Sequence, residues 1–209
     1  MMMQPGDSTL FTPTEAAVLT HLPLKAVNNA IDKKTVAATT GRRAGQVSRL
    51  LDLHALMSLT LERRLASRFP PELRREVFSA LRSANRQTIS LEDGFLRIDL
   101  RQPRRELATS LRDLRRARRL VSTDPAVMGG DPVFKGTRVP VHLIAQLLEQ
   151  GAPAEELREG YPSLTANMLQ AAPLYASAYP LRGRPRAQPW QGLTPVKISR
   201  RPLAIPGAT

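Results

Sequence analysis

GGDPVFKGTRVPV, from Gly129 to Val141, places three glycines and two prolines among β-branched residues within thirteen positions. Gly129 and Gly130 suit a turn, because glycine adopts positive φ without a Cβ clash. Val133-Phe134 and Arg138–Val141 read as short strands joined through Lys135-Gly136-Thr137, with Gly136 supplying a positive φ. Pro140 then opens a helix whose Val141, Ile144, Ala145 and Leu148 line one face, and Gly151 stops it. The stretch is therefore a tight hairpin leading into a helical unit, and it holds no catalytic residue set.

The segment that follows completes that unit. Pro153 to Glu159 reads as a short helix closed by Gly160, and Ser163 as the cap of a third helix. Leu164, Met168, Ala172, Tyr175 and Tyr179 fall near one side of that last helix. Pro173 lies inside it and is expected to kink or shorten it.

At the other end of the chain, Thr12, Pro13 and Glu15 have the spacing of a capping box. Ala16, Ala17 and Leu19 supply a small packing face. "THLP" breaks this helix, and Pro23 restarts one through about Lys34, with Leu24, Val27 and Ile31 on one buried stripe. Lys25, Asn28, Asn29 and Asp32 are then left to point outward. "TVAATTGRRAGQVSRLL" reads as a hairpin whose turn contains Gly41 and Gly45, with Arg42 and Arg43 at its tip. Asp52 caps a further amphipathic helix.

Between these regions, "PPELRREVFSALRSA" spaces Leu73, Val77 and Leu81 as one helix face, and "TISLEDGFLRIDL" turns at Asp93-Gly94. "RRELATSLRDLRRARRL" stripes Leu107, Leu111 and Leu114 on a helix otherwise covered by arginine. Those arginines either contact a polyanion or keep a dimerisation helix soluble. The pattern predicts a mainly α protein with short β-hairpins. Its parts are an N-terminal unit over 1–66, an Arg-rich helix and hairpin connecting region over 67–120, a three-helix unit over 121–180 and a tail over 181–209.

Charge sharpens this division. The chain of 209 residues has a formal net charge of +13. Residues 42–120 carry 19 arginines against 9 acids, whereas 121–180 carry 3 basic and 6 acidic groups. Such unevenness favours polyanion contact by the first half. The tail has 5 prolines, 6 basic groups, no acid and the only tryptophan, Trp190, a composition that cannot bury enough surface to fold alone. It reads either as a terminal extension or as a peptide that orders on a partner.

Absences matter too. Without cysteine the chain has no disulfide framework, thiolate metal site or cysteine nucleophile. His21, His54 and His142 are scattered, so no pair has metal-ligand spacing. "GGDPVFKG" lacks the Gly-Lys-Ser/Thr ending of a phosphate loop. We expect no enzyme activity, metal or cofactor. The opening lacks the regions of a secretory leader, and no apolar run approaches the roughly 18–20 residues of a membrane span. A cytoplasmic protein without membrane contact is the expectation.

Two resemblances follow from these motifs. The order of helix, break, helix, hairpin and helix over residues 10–66 resembles the winged helix-turn-helix of MerR-type and excisionase-type DNA-binding proteins. That resemblance implies a second helix in the major groove, with Asn28 or Asn29 reading an adenine edge. Lys25, Lys33 and Lys34 would then meet phosphates, and Arg42 and Arg43 would reach along the backbone or into the minor groove. An ordinary protein–protein module of the same shape is the alternative.

Gly130, Pro132, Gly136, Thr137, Arg138, Pro140 and Val141, followed by "YPSLT", resemble the signature of a bacterial and archaeal domain family of unknown function. Its members are often described as VapB-type antitoxins. The resemblance implies homodimerisation, neutralisation of a PIN-like ribonuclease toxin encoded next door, and repression of the shared operator DNA. The family usually has a plain alanine or leucine run where Pro173 stands here. Arg138 would pair with Asp131 or Glu149, or else face a partner. A PIN-like toxin holds its metal ions with carboxylates, so Arg182, Arg184 and Arg186, or Arg200 and Arg201, would enter its site with Trp190 as anchor. A free-standing DNA-binding regulator without a toxin is the other reading.

Overall fold

Thr12 fixes where the first helix begins. Its hydroxyl accepts from the Glu15 backbone N–H, and Glu15 Oε2 accepts from the Thr12 backbone N–H at 2.8 Å, the reciprocal pair the spacing predicts. The structure, a computed structural model, describes residues 10–43, 46–82 and 87–181. Its helices are α1 (Pro13–Thr20), α2 (Leu24–Asp32), α3 (Leu53–Leu65), α4 (Pro71–Ala80), α5 (Arg101–Arg119), α6 (Val141–Glu149), α7 (Ala154–Gly160) and α8 (Ala166–Ala178). Three antiparallel strand pairs lie between them: β1 (Thr39–Arg43) with β2 (Gln46–Leu50), β3 (Thr88–Leu91) with β4 (Leu96–Asp99), and β5 (Val121–Ser122) with β6 (Val133–Phe134). The protein is mainly helical with short strand pairs.

Two clusters of apolar side chains hold it together. The first runs from Phe11 through Leu19, Val27, Leu56, Leu59 and Val77 to Leu107 and Leu114. Helix α5 thus belongs to the same core as α1 and α3, where the sequence pattern had placed a connecting region. Glu106 fastens this contact by accepting from Arg63 at 2.9 Å and from Arg64. The second cluster gathers Phe134, Val141, Ile144, Leu157, Leu164 and Leu169. Helix α8 serves both, lending Leu169 and Ala172 to the second cluster and Ala178 to the first.

Several local expectations are corrected. Helix α2 stops at Asp32, and Lys34 takes φ 55°. Leu24, in the first turn of α2, is 41% exposed rather than on the buried stripe. Gly41 lies inside β1 opposite Ser48, not in the turn. A Cβ there would meet Leu50 Cδ1 at 2.6 Å, so any larger residue needs the Leu50 side chain to shift. Thr165, not Ser163, caps α8, its hydroxyl accepting from Met168 N–H. Pro173 does not shorten α8, which runs on to Ala178 with the proline on the exposed side.

Candidate nucleic-acid interface

Helix α2 follows Pro23, whose φ of −58° and ψ of 142° turn the chain sharply after α1. Val27, Ala30 and Ile31 face the core, so Lys25, Asn29, Asp32 and Lys33 are left exposed and Asn28 half-buried. The hairpin is seated beside this face. Its ladder pairs Thr40 with Arg49 and Arg42 with Val47, which puts those four residues on one side of the ribbon. A reciprocal bridge at 2.8 Å between Phe11 and Leu51 anchors the base of the ribbon to the start of α1.

Arg49 joins the two elements. One guanidinium nitrogen donates to Asp32 Oδ1 and another to Asn28 Oδ1 at 2.9 Å. Sequence reading missed this residue. The available signal was Asp32, an acid on an otherwise cationic exposed arc, facing an outward arginine on the neighbouring strand. The clamp engages the oxygen of Asn28, and Asn29 is the exposed asparagine beside it. A groove of about 410 Å³ separates α2 from the ribbon, with Leu24, Asn28, Val47 and Arg49 in its walls.

Of the expected contact residues, Lys25, Asn29, Lys33, Lys34 and Arg42 are exposed, and the four cations make no ion pair among the described residues. Arg42 sits one pair back from the end of the ladder rather than at its tip, and Arg43 holds the last register position opposite Gln46. Arg182, Arg184, Arg186, Trp190, Arg200 and Arg201 lie outside the described residues.

The signature stretch is accounted for almost entirely by backbone duties. Gly130 and Gly136 take φ of 88° and 76°. Pro132 lends its carbonyl to the Val141 N–H, and Pro140 bridges Val133 and caps α6. Thr137 Oγ1 donates to the Phe134 carbonyl at 2.9 Å and accepts from Val139 N–H. The hairpin is tighter than expected: Arg138–Val141 forms no strand beyond the Pro140 bridge, and β6 pairs instead with β5. Arg138 pairs with neither Asp131 nor Glu149. It is exposed, and no ion pair reaches it among the described residues.

A polar latch ties the signature unit to the N-terminal one. Tyr179, which follows α8, donates its hydroxyl to Oε1 of the fully buried Glu15 at 2.6 Å. Its backbone oxygen lies 2.8 Å from His142 Nε2, and the Arg118 guanidinium stands 6.0 Å from its ring centroid. Tyr175 stacks against Tyr179 at 4.8 Å, and burial holds the Tyr175 phenol above its ordinary pKa.

No group of three or more His, Cys, Asp or Glu side chains is placed to hold a metal ion among the described residues. Likewise, no described helix is long and apolar enough to cross a membrane.

Residues 121–176 match the family described as "Protein of unknown function (DUF433)". Over 195 residues the chain is 35% identical to the "Uncharacterized protein y4eO" of Sinorhizobium fredii, covering 87% of each chain. The protein belongs to the family of that rhizobial relative, and the DUF433 segment is its third region. A crystal structure of Rv2018 from Mycobacterium tuberculosis aligns with 78% of this chain and 95% of its own at 17% identity. The TM-score of that alignment is 0.30, too low to place the two in one fold.

Proposed function

We propose that the protein is a DNA-binding antitoxin. Its N-terminal unit acts as a winged helix-turn-helix, α2 entering the major groove and the β1–β2 ribbon following the backbone as a wing. Lys25, Lys33, Lys34 and Arg42 meet phosphates, and Asn29 reads a base edge. The observation that carries this reading is the Arg49 clamp, which fixes α2 and the ribbon as one surface whose exposed cations make no ion pair among the described residues. The DUF433 unit, as a three-helix dimerising module, supports the antitoxin part through its signature. Arg138 is the signature residue the hairpin does not use, and it is left for a partner. The basic tail inhibits a PIN-like ribonuclease encoded next door, and the complex represses the shared operator.

The test is co-purification of the full chain, and of a 1–180 truncation, with the product of the adjacent gene. A nuclease retained and inhibited by the full chain but not by the truncation supports the reading. Retention of no partner by either form overturns the antitoxin part and leaves a free-standing DNA-binding regulator, the reading the N-terminal surface favours alone.

A further inference from the structure

A cleft of about 820 Å³ lies where the end of α2, the start of the ribbon, α3 and α4 meet. Its size is that of a small-molecule site. Lys34, Arg49, Arg75 and Arg82 line it, and no acidic side chain does among the described residues. Arg49 is engaged by Asp32, and Arg75 stands 3.7 Å from Glu72. Lys34 and Arg82 have no ion pair among the described residues. Ile31, Val36 and Phe78 add an apolar wall.

His54 supplies a second, independent observation. Its Nε2 is shielded from solvent and has no hydrogen-bond partner among the described residues. A buried ring nitrogen without a partner calls for an explanation, and this imidazole borders the cleft. Burial first, and the Arg82 charge after it, hold this imidazole below its ordinary pKa against the opposing pull of Asp52.

We propose that this cleft binds the phosphate group of a small phosphorylated metabolite, with Lys34, Arg75 and Arg82 as its cations and the His54 imidazole in its wall. Phosphate fits better than a single carboxylate because it carries more charge and presents acceptors in several directions to cations on different elements. A phosphate of duplex DNA shares this chemistry. The cleft's volume, in the range of small-molecule sites, favours a small ligand over a duplex.

The site also explains how occupancy would be felt elsewhere. Arg49 lines the cleft while holding α2 to the ribbon, so an anion bound there competes with Asp32 for the guanidinium and loosens the clamp. That consequence, unlike the binding itself, rests on the DNA-binding reading.

The test is titration of the full chain with inorganic pyrophosphate, followed by calorimetry and by the imidazole NMR signal of His54. The expected result is saturable one-site binding that moves that signal, with Arg82→Gln weakening affinity about tenfold or more. Lys34→Asn, whose asparagine tolerates the positive φ, is expected to do the same. Non-saturating heats, or equal affinity in both variants, overturn the proposal. An equal response to sulfate shows an adventitious ion only and overturns it too. A duplex of unrelated sequence is expected to leave the His54 signal in place. If the duplex moves it to the pyrophosphate-bound position, the cleft takes DNA backbone and the proposal falls.

Discussion

Replacing Tyr179 by Phe removes a single oxygen from the latch between the two halves of the protein. That oxygen donates to a carboxylate with no solvent access, so water cannot take its place. Glu15 Oε2 keeps its bond to Thr12 N–H at 2.8 Å. A hydrogen bond to a charged group is worth about 1.5–3 kcal/mol. For a chain of this size each kcal/mol moves Tm by roughly 2–4 °C, so Tyr179→Phe should lower it by roughly 3–12 °C. Thermal unfolding by far-UV circular dichroism reads the shift. A double-mutant cycle with Glu15→Ala isolates the pair, since alanine offers the phenol no acceptor and the loss of the Thr12 contact cancels between the two arms. We expect a coupling of about 1 kcal/mol or more; a coupling below ~0.3 kcal/mol, or an unmoved Tm in Tyr179→Phe, refutes the latch.

Other outcomes follow from single residues. Pro173→Ala should raise stability by roughly 1–3 kcal/mol, because an exposed helical site regains an N–H donor and loses a ring clash; an unchanged or lower Tm contradicts this. Asp52→Ala should cost about 1 kcal/mol by removing the acceptor for the first turn of α3. That cap is 2.7 Å from Ala55 N, and a Tm equal to wild type would show it to be dispensable. His54 has a folded pKa below 6.5, so the unfolded chain binds its proton first. Its contribution is present above that value and lost as pH falls through it toward the folded pKa. His54→Gln should therefore flatten the decline of Tm between about pH 7 and 5, and an unaltered profile counts against the burial argument.

Local chemistry made much of this legible. The capping box at Thr12 and Glu15, the cap at Asp52, the Asp93-Gly94 turn and the positive φ of Gly136 and Gly151 all depend on near neighbours. What escaped depends on distant ones. Gly41 reads as a turn glycine until Leu50 is seen to cross it. Leu24 fits the stripe by periodicity, but in the first turn of α2 it stays exposed. Two hydroxyls compete to cap α8, and the turn bringing Leu164 N–H to the Tyr161 carbonyl decides for Thr165. The exposure of Lys25, Asn29 and Arg42 could be read from helix and strand periodicity. The Arg49 clamp could not, because it requires the ribbon register and its seat on α2 together.

The most direct test of the DNA-binding account is anisotropy of a labelled duplex from upstream of the protein's own gene, titrated with the full chain across salt. Wild type should prefer that duplex over a shuffled one. With ~6 phosphate contacts it should lose about three decades of affinity between about 50 and 200 mM salt. The triple variant Lys25→Ala, Asn29→Ala, Arg42→Ala should flatten the salt slope by about 2 and lose most of the preference. Equal binding to both duplexes, or a triple variant indistinguishable from wild type, would contradict the assignment of α2 and its ribbon as the reading surface.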